Sequence, residues 1–288
     1  MADLSKISRE RPVLLFGPTA SGKSGLAMEL AARDGRLIVN ADALQVFGNW
    51  RHLTARPSAA DEAALPHALY GHLARSDAYS VGAWLRDLAP HLTRPVVIVG
   101  GTGLYFMALT QGLAQIPASP PEVRAEADAL RSTGRLAEML SQIDPETQAR
   151  IDVANPMRVQ RAWEVWRATG RGLAAWQAET GPALIALEQA EPLVLRPDVC
   201  WLDARITRRF HAMIAAGALA EARAEAPHYD PALPSAKAIG AAELIGHLRG
   251  ESSLDQAIAA AILASRQYAK RQRTWGRSRM AEWREIAI

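Results

Sequence analysis

The chain has 288 residues, 49% of them hydrophobic, which is enough for one sizeable α/β core with a smaller appended unit. A single cysteine, Cys200, excludes an intramolecular disulfide framework and fits a reducing cytoplasm. No apolar run approaches the ~20 residues that cross a bilayer, and the charged stretch Met1–Pro12 lacks the apolar core of a secretory leader; a cytoplasmic protein without membrane contact is expected.

The net charge is +3, and of the 33 basic residues all but Lys6, Lys23, Lys237 and Lys270 are arginines. Genomic composition and phosphate recognition both explain such a bias, so the distribution of charge has to decide between them.

In chain order, Val13-Leu14-Leu15-Phe16 is a short apolar run ending in glycine and reads as a buried parallel strand. Gly17–Ser24 reads as a loop, and Gly25 to about Arg33 as a helix. Leu37-Ile38-Val39 is a second buried strand leading to Asn40-Ala41-Asp42, and Val96–Val99 a third. The third runs into Gly100-Gly101-Thr102-Gly103 and then an apolar helix from Leu104. Strands alternating with helices imply a parallel sheet covered on both faces. Pro117, Pro120 and Pro121 mark a linker. Beyond it Glu122–Ser132, Arg135–Ile143 and Pro156–Thr169 carry helix spacing, with Thr169-Gly170 as a stop. Leu193-Val194-Leu195 looks like a return to the sheet, and helices follow from Ile206 to about Glu282. Residues 118–192 are therefore expected to be a helical insertion in a core made of 1–117 and 193–288.

Gly17-Pro18-Thr19-Ala20-Ser21-Gly22-Lys23-Ser24 matches G-x-x-x-x-G-K-[ST] at every fixed position, between an apolar strand and a helix. The glycines let the backbone curl so that successive N–H groups face one anion. The helix N-terminus adds positive potential, Lys23 a mobile charge, and Ser24 an oxygen for Mg²⁺. An α/β, P-loop NTPase-like parallel sheet follows. The loop signals polyphosphate without specifying ATP. Nucleotide hydrolases of this class hold Mg²⁺ with an acid closing an apolar strand, and Val96–Val99 runs straight into glycines. Asp42 is the acid that closes a strand near the loop. From position alone it serves equally as metal ligand, general base or helix cap. In the second glycine loop, close helix–strand packing and ligand contact stay open, with Thr102 the side chain able to touch a ligand.

Ala264–Met280 holds Arg266, Lys270, Arg271, Arg273, Arg277 and Arg279 and no acid. Arg266, Lys270, Arg273 and Arg277 share one helical face, with Tyr268 and Trp275 interleaved. Such a stripe suits a phosphate backbone. Arg158 and Arg161 in the insertion stand beside Trp163 and Trp166, which read as core.

These blocks together resemble the bacterial tRNA dimethylallyltransferases over nearly the whole chain: GPTASGKS at 17–24, ADALQVF at 41–47, VGGTGLYF at 99–106, DPETQARI at 144–151, RVQRAWEVWRATG at 158–170, AIG at 238–240 and SRQYAKRQRTW at 265–275. The sequence departs from the family's usual residues at Ala43 and Phe47 and in the segment Gly48–Leu53. The resemblance implies transfer of a dimethylallyl group from dimethylallyl diphosphate to N6 of the adenosine 3′ of the anticodon. Gly17, Pro18, Thr19, Ala20, Ser21, Gly22, Lys23 and Ser24 would hold the diphosphate with Mg²⁺ at Ser24, and Arg266 would assist. Asp42 would be the general base, with Lys23 and Thr102 completing the catalytic set. Asp42, Ala43, Leu44, Gln45, Thr102, Arg124, Met157, Arg158, Val159, Gln160, Arg161, Lys270, Arg271, Gln272, Arg273, Thr274 and Trp275 would contact tRNA, the insertion embracing the anticodon stem-loop. A monomer is expected. The target base must leave its stack to react.

Overall fold

The computed structural model describes residues 4–287. It divides into two compact units, Met1–Thr110 with Leu184–Ile288, and Gln111–Ala183. The ends of the expected core at 1–3 and 288 lie outside the described residues. The unit changes near 111 and 184 rather than at 118 and 193. Leu184 and Ile185 both donate their N–H to the Leu109 carbonyl, at 3.0 and 3.2 Å, which returns the chain to the larger unit before its next strand begins.

The larger unit is built on a parallel sheet: β1 Val13–Phe16, β2 Leu37–Asn40, β3 His67–Ala68, β4 Val96–Gly100, β5 Glu191–Leu195 and β6 Arg284–Ile286. Their order is β3-β2-β4-β1-β5-β6, every pair parallel. Side chains alternate between two buried faces. Leu14, Phe16, Val39 and Ile98 join one core with Trp84, Phe106 and Trp283. Val13, Leu15, Ile38 and Val97 join the other, against Leu26, Ala27 and Leu30 of the helix Lys23–Asp34. Both faces being dry is why these strands read as unbroken apolar runs. β3 and β6 were not expected; they are two- and three-residue edge strands too short to show a period.

A third core packs the helices Val199–Ala215, Ala241–Leu248 and Leu254–Arg279 around Trp50, Leu53 and Phe210. The first of these helices starts at Val199, ahead of the expected Ile206, because Asp198 caps it by accepting the Trp201 N–H. The last ends at Arg279 rather than near Glu282.

The smaller unit is helical: Pro121–Ser132, Leu136–Gln142, Pro145–Arg150, Pro156–Thr169 and Leu173–Ala178. Its core is Ala127, Leu130, Met139, Ile143, Val159, Ala162 and Trp163. Trp163 is fully buried and donates its indole N–H to Gln142 Oε1 at 2.8 Å, and Trp166 is half-buried.

Candidate active site

The ends of β1, β2 and β4 set the site. After Phe16 the loop curls through Ala20, at φ 62°, and Gly22, at φ 93°. An alanine in the left-handed region is strained, and such strain collects where a loop must face a ligand. Lys23 opens the following helix and is 8% exposed. Its Nζ donates to the Pro18 carbonyl at 3.2 Å. Burial pulls its pKa down to about 8, while Asp42 opposes that shift and Arg209 adds to it.

Asp42, beyond β2, is buried and held by its neighbours. Its N–H donates to Asn40 Oδ1 at 2.8 Å, and its Oδ1 accepts the Leu44 N–H at 3.0 Å. Asn40 Nδ2 donates to the carbonyls of Asp42 and Leu69, at 2.9 and 3.0 Å, so this amide is spent on shaping the turn rather than on a ligand. Gln45 likewise donates to the Thr54 and Ala55 carbonyls, at 2.9 and 3.2 Å.

The glycines of the second loop serve close packing. A Cβ on Gly100 would stand 2.0 Å from the Ala41 carbonyl oxygen, one on Gly101 2.0 Å from Gln272 Nε2, and one on Gly103 2.0 Å from Trp275 Nε1. Thr102 Oγ1 accepts the Ala43 N–H at 2.9 Å and so ties this loop to the Asp42 turn. Gln272, 4% exposed, joins both loops: its Oε1 accepts the Thr19 N–H at 2.8 Å and its Nε2 donates to the Gly101 carbonyl at 3.0 Å. Tyr268, one turn earlier, lines the same cavity as Asp42. Burial and then the Asp42 charge push its pKa up, so it stays protonated.

Two cavities adjoin at the loop. One is lined by Ser21, Gly22, Lys23, Ser24, Arg205 and Arg209 among others. The second is lined by Thr19, Lys23, Asp42, Arg209 and Tyr268, with Leu53, Ile206, Phe210, Met213 and Ile239 as an apolar wall. Ala20, Lys23 and Arg209 line both. The arrangement is a cationic cradle opening into a cavity with an apolar wall and a carboxylate.

Arg209 donates to Thr19 Oγ1 at 3.3 Å and is drawn below its usual pKa by burial. Arg205 and Arg209 escaped the sequence reading. Their i,i+4 spacing on an apolar helix puts them on one face, but only packing shows that this face meets the loop. Arg266 does not line the cradle. It donates to Thr207 Oγ1 at 3.0 Å and lies 3.9 Å from Asp203, both on the helix Val199–Ala215. Its neighbour Ser265 lines the apolar cavity, and one residue turns a helix by about 100°.

The expected tRNA contacts divide by exposure. Lys270, Arg271 and Thr274 are exposed, and Arg273 and Trp275 half-buried. Arg273 and Arg277 line a separate crevice with Arg196 above Phe16 and Leu195. Gln272 is interior, both ends of its amide taken by the loops. In the smaller unit Arg124, Met157 and Arg158 are exposed. Val159 is fully buried in that unit's core. Gln160 is buried too, accepting from Arg131 at 2.6 Å and donating to Glu164 at 2.9 Å. Arg161 is paired with Glu164 at 3.6 Å and Ser119 at 2.9 Å. A contiguous segment reaches ligand with one face of its helix, so Val159 and Gln160 are corrected to structural roles.

Among the described residues no group of three or more His, Cys, Asp or Glu side chains is placed to hold a metal ion, and no helix is long and apolar enough to cross a membrane. Ser24 is exposed on the cradle, with the three cations around it. One hydroxyl fits a Mg²⁺ that arrives on a diphosphate and takes its other ligands from phosphate and water.

Replacing Gln272 with Ala leaves the Thr19 N–H and the Gly101 carbonyl without their partner. The expected loss is about 2 kcal/mol in denaturant unfolding, together with a higher donor KM because the loop is no longer braced. Unchanged stability and KM would show that the bridge does not support the loop.

The IPP transferase family model matches residues 45–279. A tRNA dimethylallyltransferase of Cereibacter sphaeroides is 63% identical over 291 positions, covering 100% of this chain and 92% of the relative. One of Dinoroseobacter shibae is 60% identical, covering 99% and 98%. The solved full-length tRNA isopentenylpyrophosphate transferase of Bacillus halodurans superposes with a TM-score of 0.66 at 30% identity, covering 96% of this chain and 90% of that one. A eukaryotic dimethylallyltransferase acting on tRNA shares the fold, with a TM-score of 0.77 at 21% identity, over 93% of this chain and 70% of its own.

Proposed function

The chain belongs to the IPP transferase family, and on that premise we infer that it is a tRNA dimethylallyltransferase, moving the allyl group of dimethylallyl diphosphate to N6 of the adenosine 3′ of the anticodon. One observation carries the assignment of the site: the cationic cradle and the apolar, carboxylate-bearing cavity share Ala20, Lys23 and Arg209. A substrate with a diphosphate on one end and a branched hydrocarbon on the other spans the two. Leu53, Ile206, Phe210, Met213 and Ile239 take the dimethylallyl group, and Lys23, Arg205 and Arg209 the phosphates.

Adenine N6 attacks the allylic C1. The C1–O bond breaks and the diphosphate departs with its electron pair. The N6 proton passes to Asp42, whose turn is fixed by Asn40 and Leu44. Lys23, Arg209 and the loop amides face the charge that develops on the leaving oxygen. Thr102 positions the Asp42 turn through the Ala43 N–H. When bound at Ser24 with the diphosphate, Mg²⁺ neutralises part of that leaving charge. The tRNA is contacted through the exposed Lys270, Arg271 and Thr274, the half-buried Arg273, and Arg124, Met157 and Arg158 of the smaller unit. On this reading the enzyme acts as a cytoplasmic monomer.

Incubating the protein with Mg²⁺, dimethylallyl diphosphate and unmodified tRNA, then digesting the RNA and identifying nucleosides by mass spectrometry, tests the assignment. A dimethylallyl adenosine from the position 3′ of the anticodon is expected, without ATP hydrolysis. Saturable ATP hydrolysis and unmodified RNA would instead support a kinase.

A further inference from the structure

Arg205 and Arg209 reach the same loop but are held differently. Arg209 is anchored by Thr19 and balanced by Asp42. Arg205 stands over Gly22, where a methyl group built on that glycine would lie 3.7 Å from its Nη2. Its identified support is an aromatic ring: the guanidinium carbon is 4.9 Å from the centroid of Trp201. Arg209 is close enough for the charge of Arg205 to lower its pKa, so the two repel.

The helix sets this pair in register. Asp198 accepts the Trp201 N–H at 2.9 Å and starts the helix, and Arg205 follows one turn later on the same face. Trp201 lies off the buried stripe of Leu202, Ile206 and Phe210 and is 36% exposed. A tryptophan so placed adds little to the core, and its ring face is occupied by the guanidinium.

We propose that Trp201 is a positioning residue for the donor's diphosphate: it holds Arg205 over the phosphate loop against the repulsion of Arg209. This rests on the reading that the cradle binds diphosphate. A free arginine side chain has many rotamers, and the neighbouring cation drives it toward solvent. The ring retains one arrangement before the ligand arrives, so less ordering remains to be done on binding. An exposed cation–π contact is worth about two- to fivefold in affinity.

The test titrates inorganic pyrophosphate calorimetrically into the full-length chain and into Trp201→Leu, Trp201→Phe, Arg205→Ala and the Leu/Ala double variant. Kinetics with dimethylallyl diphosphate and tRNA run alongside. Trp201→Leu is expected to weaken pyrophosphate and raise the donor KM by about two- to fivefold. Its kcat at saturating donor and its tRNA KM should hold, and Trp201→Phe should recover most of the loss. In the Arg205→Ala background Trp201→Leu should have no further effect. Unchanged pyrophosphate affinity in Trp201→Leu, with Arg205→Ala weakened, would overturn the proposal while leaving the cradle intact. An equal loss in the Arg205→Ala background would also overturn it, since Trp201 would then act through the fold. A wild-type chain that binds no pyrophosphate would overturn the cradle itself and the proposal with it.

Discussion

Replacing Asp42 with Ala or Asn is expected to lower kcat by about a hundred- to ten-thousandfold while pyrophosphate affinity stays within a few-fold of the wild type. Asp42 is the carboxylate lining the apolar cavity, and in the proposed mechanism it takes the N6 proton. An amide nearly matches its shape and keeps an oxygen for the Leu44 N–H, but it cannot accept a proton. The turn is set by Asn40 and the backbone, so the asparagine variant should fold with little change. Asp42 does oppose the lowered pKa values of Lys23 and Arg209. Its removal therefore leaves both cations less favoured in the free protein, which an incoming diphosphate offsets. Single-turnover transfer rates beside pyrophosphate titrations separate the two effects. A variant that transfers at the wild-type rate would remove Asp42 from the chemistry.

The second large effect is expected at Lys23. Lys23→Ala should cut kcat/KM for the donor by about a hundred- to a thousandfold, the scale of losing one charge-stabilising donor in a dry site. The wild-type pH profile carries the same residue's signature. With its pKa lowered to about 8 by burial, Lys23 loses its proton as pH rises through that value in the free protein. A neutral amine holds an anion poorly, so kcat/KM for the donor should fall about tenfold per pH unit above that point. Bound diphosphate favours the charged form and moves this limb upward for kcat at saturating donor. Lys23→Arg keeps its charge throughout the range and should lose the limb, whatever its absolute rate. A wild-type profile flat to pH 10 would contradict the lowered pKa of Lys23 in the free protein.

Much of this frame was legible in the residues. Val13–Phe16, a glycine-rich octet and a following helix need no tertiary information, since an apolar run buried on both faces and a left-handed loop each leave a local mark. Pro156–Thr169 was read with its bounds intact, because Pro156 and Gly170 sit where a helix starts and stops. Asp42 and Thr102 could be paired as candidates because strand ends of a parallel sheet converge, and the Thr102 hydroxyl does meet the Asp42 turn at the Ala43 N–H. Arg205 and Arg209 left no such mark: their place depends on the helix Val199–Ala215 lying against the loop. The apolar wall is scattered over Leu53, Ile206, Phe210, Met213 and Ile239, which alone read as ordinary core. The position of Arg266 against Thr207 and Asp203 and the burial of Val159, Gln160 and Gln272 share a cause. A motif is a run of sequence, whereas a helix shows a ligand only every third or fourth residue of it.

The account turns on one site joining a cationic loop to an apolar cavity with a base. Its most direct test follows label from dimethylallyl diphosphate into acid-precipitable, unmodified tRNA, comparing wild type with Asp42→Ala after both are shown to bind pyrophosphate. Incorporation by the wild type that collapses in the variant is the predicted result. No incorporation by a wild-type chain that binds both pyrophosphate and tRNA would contradict it.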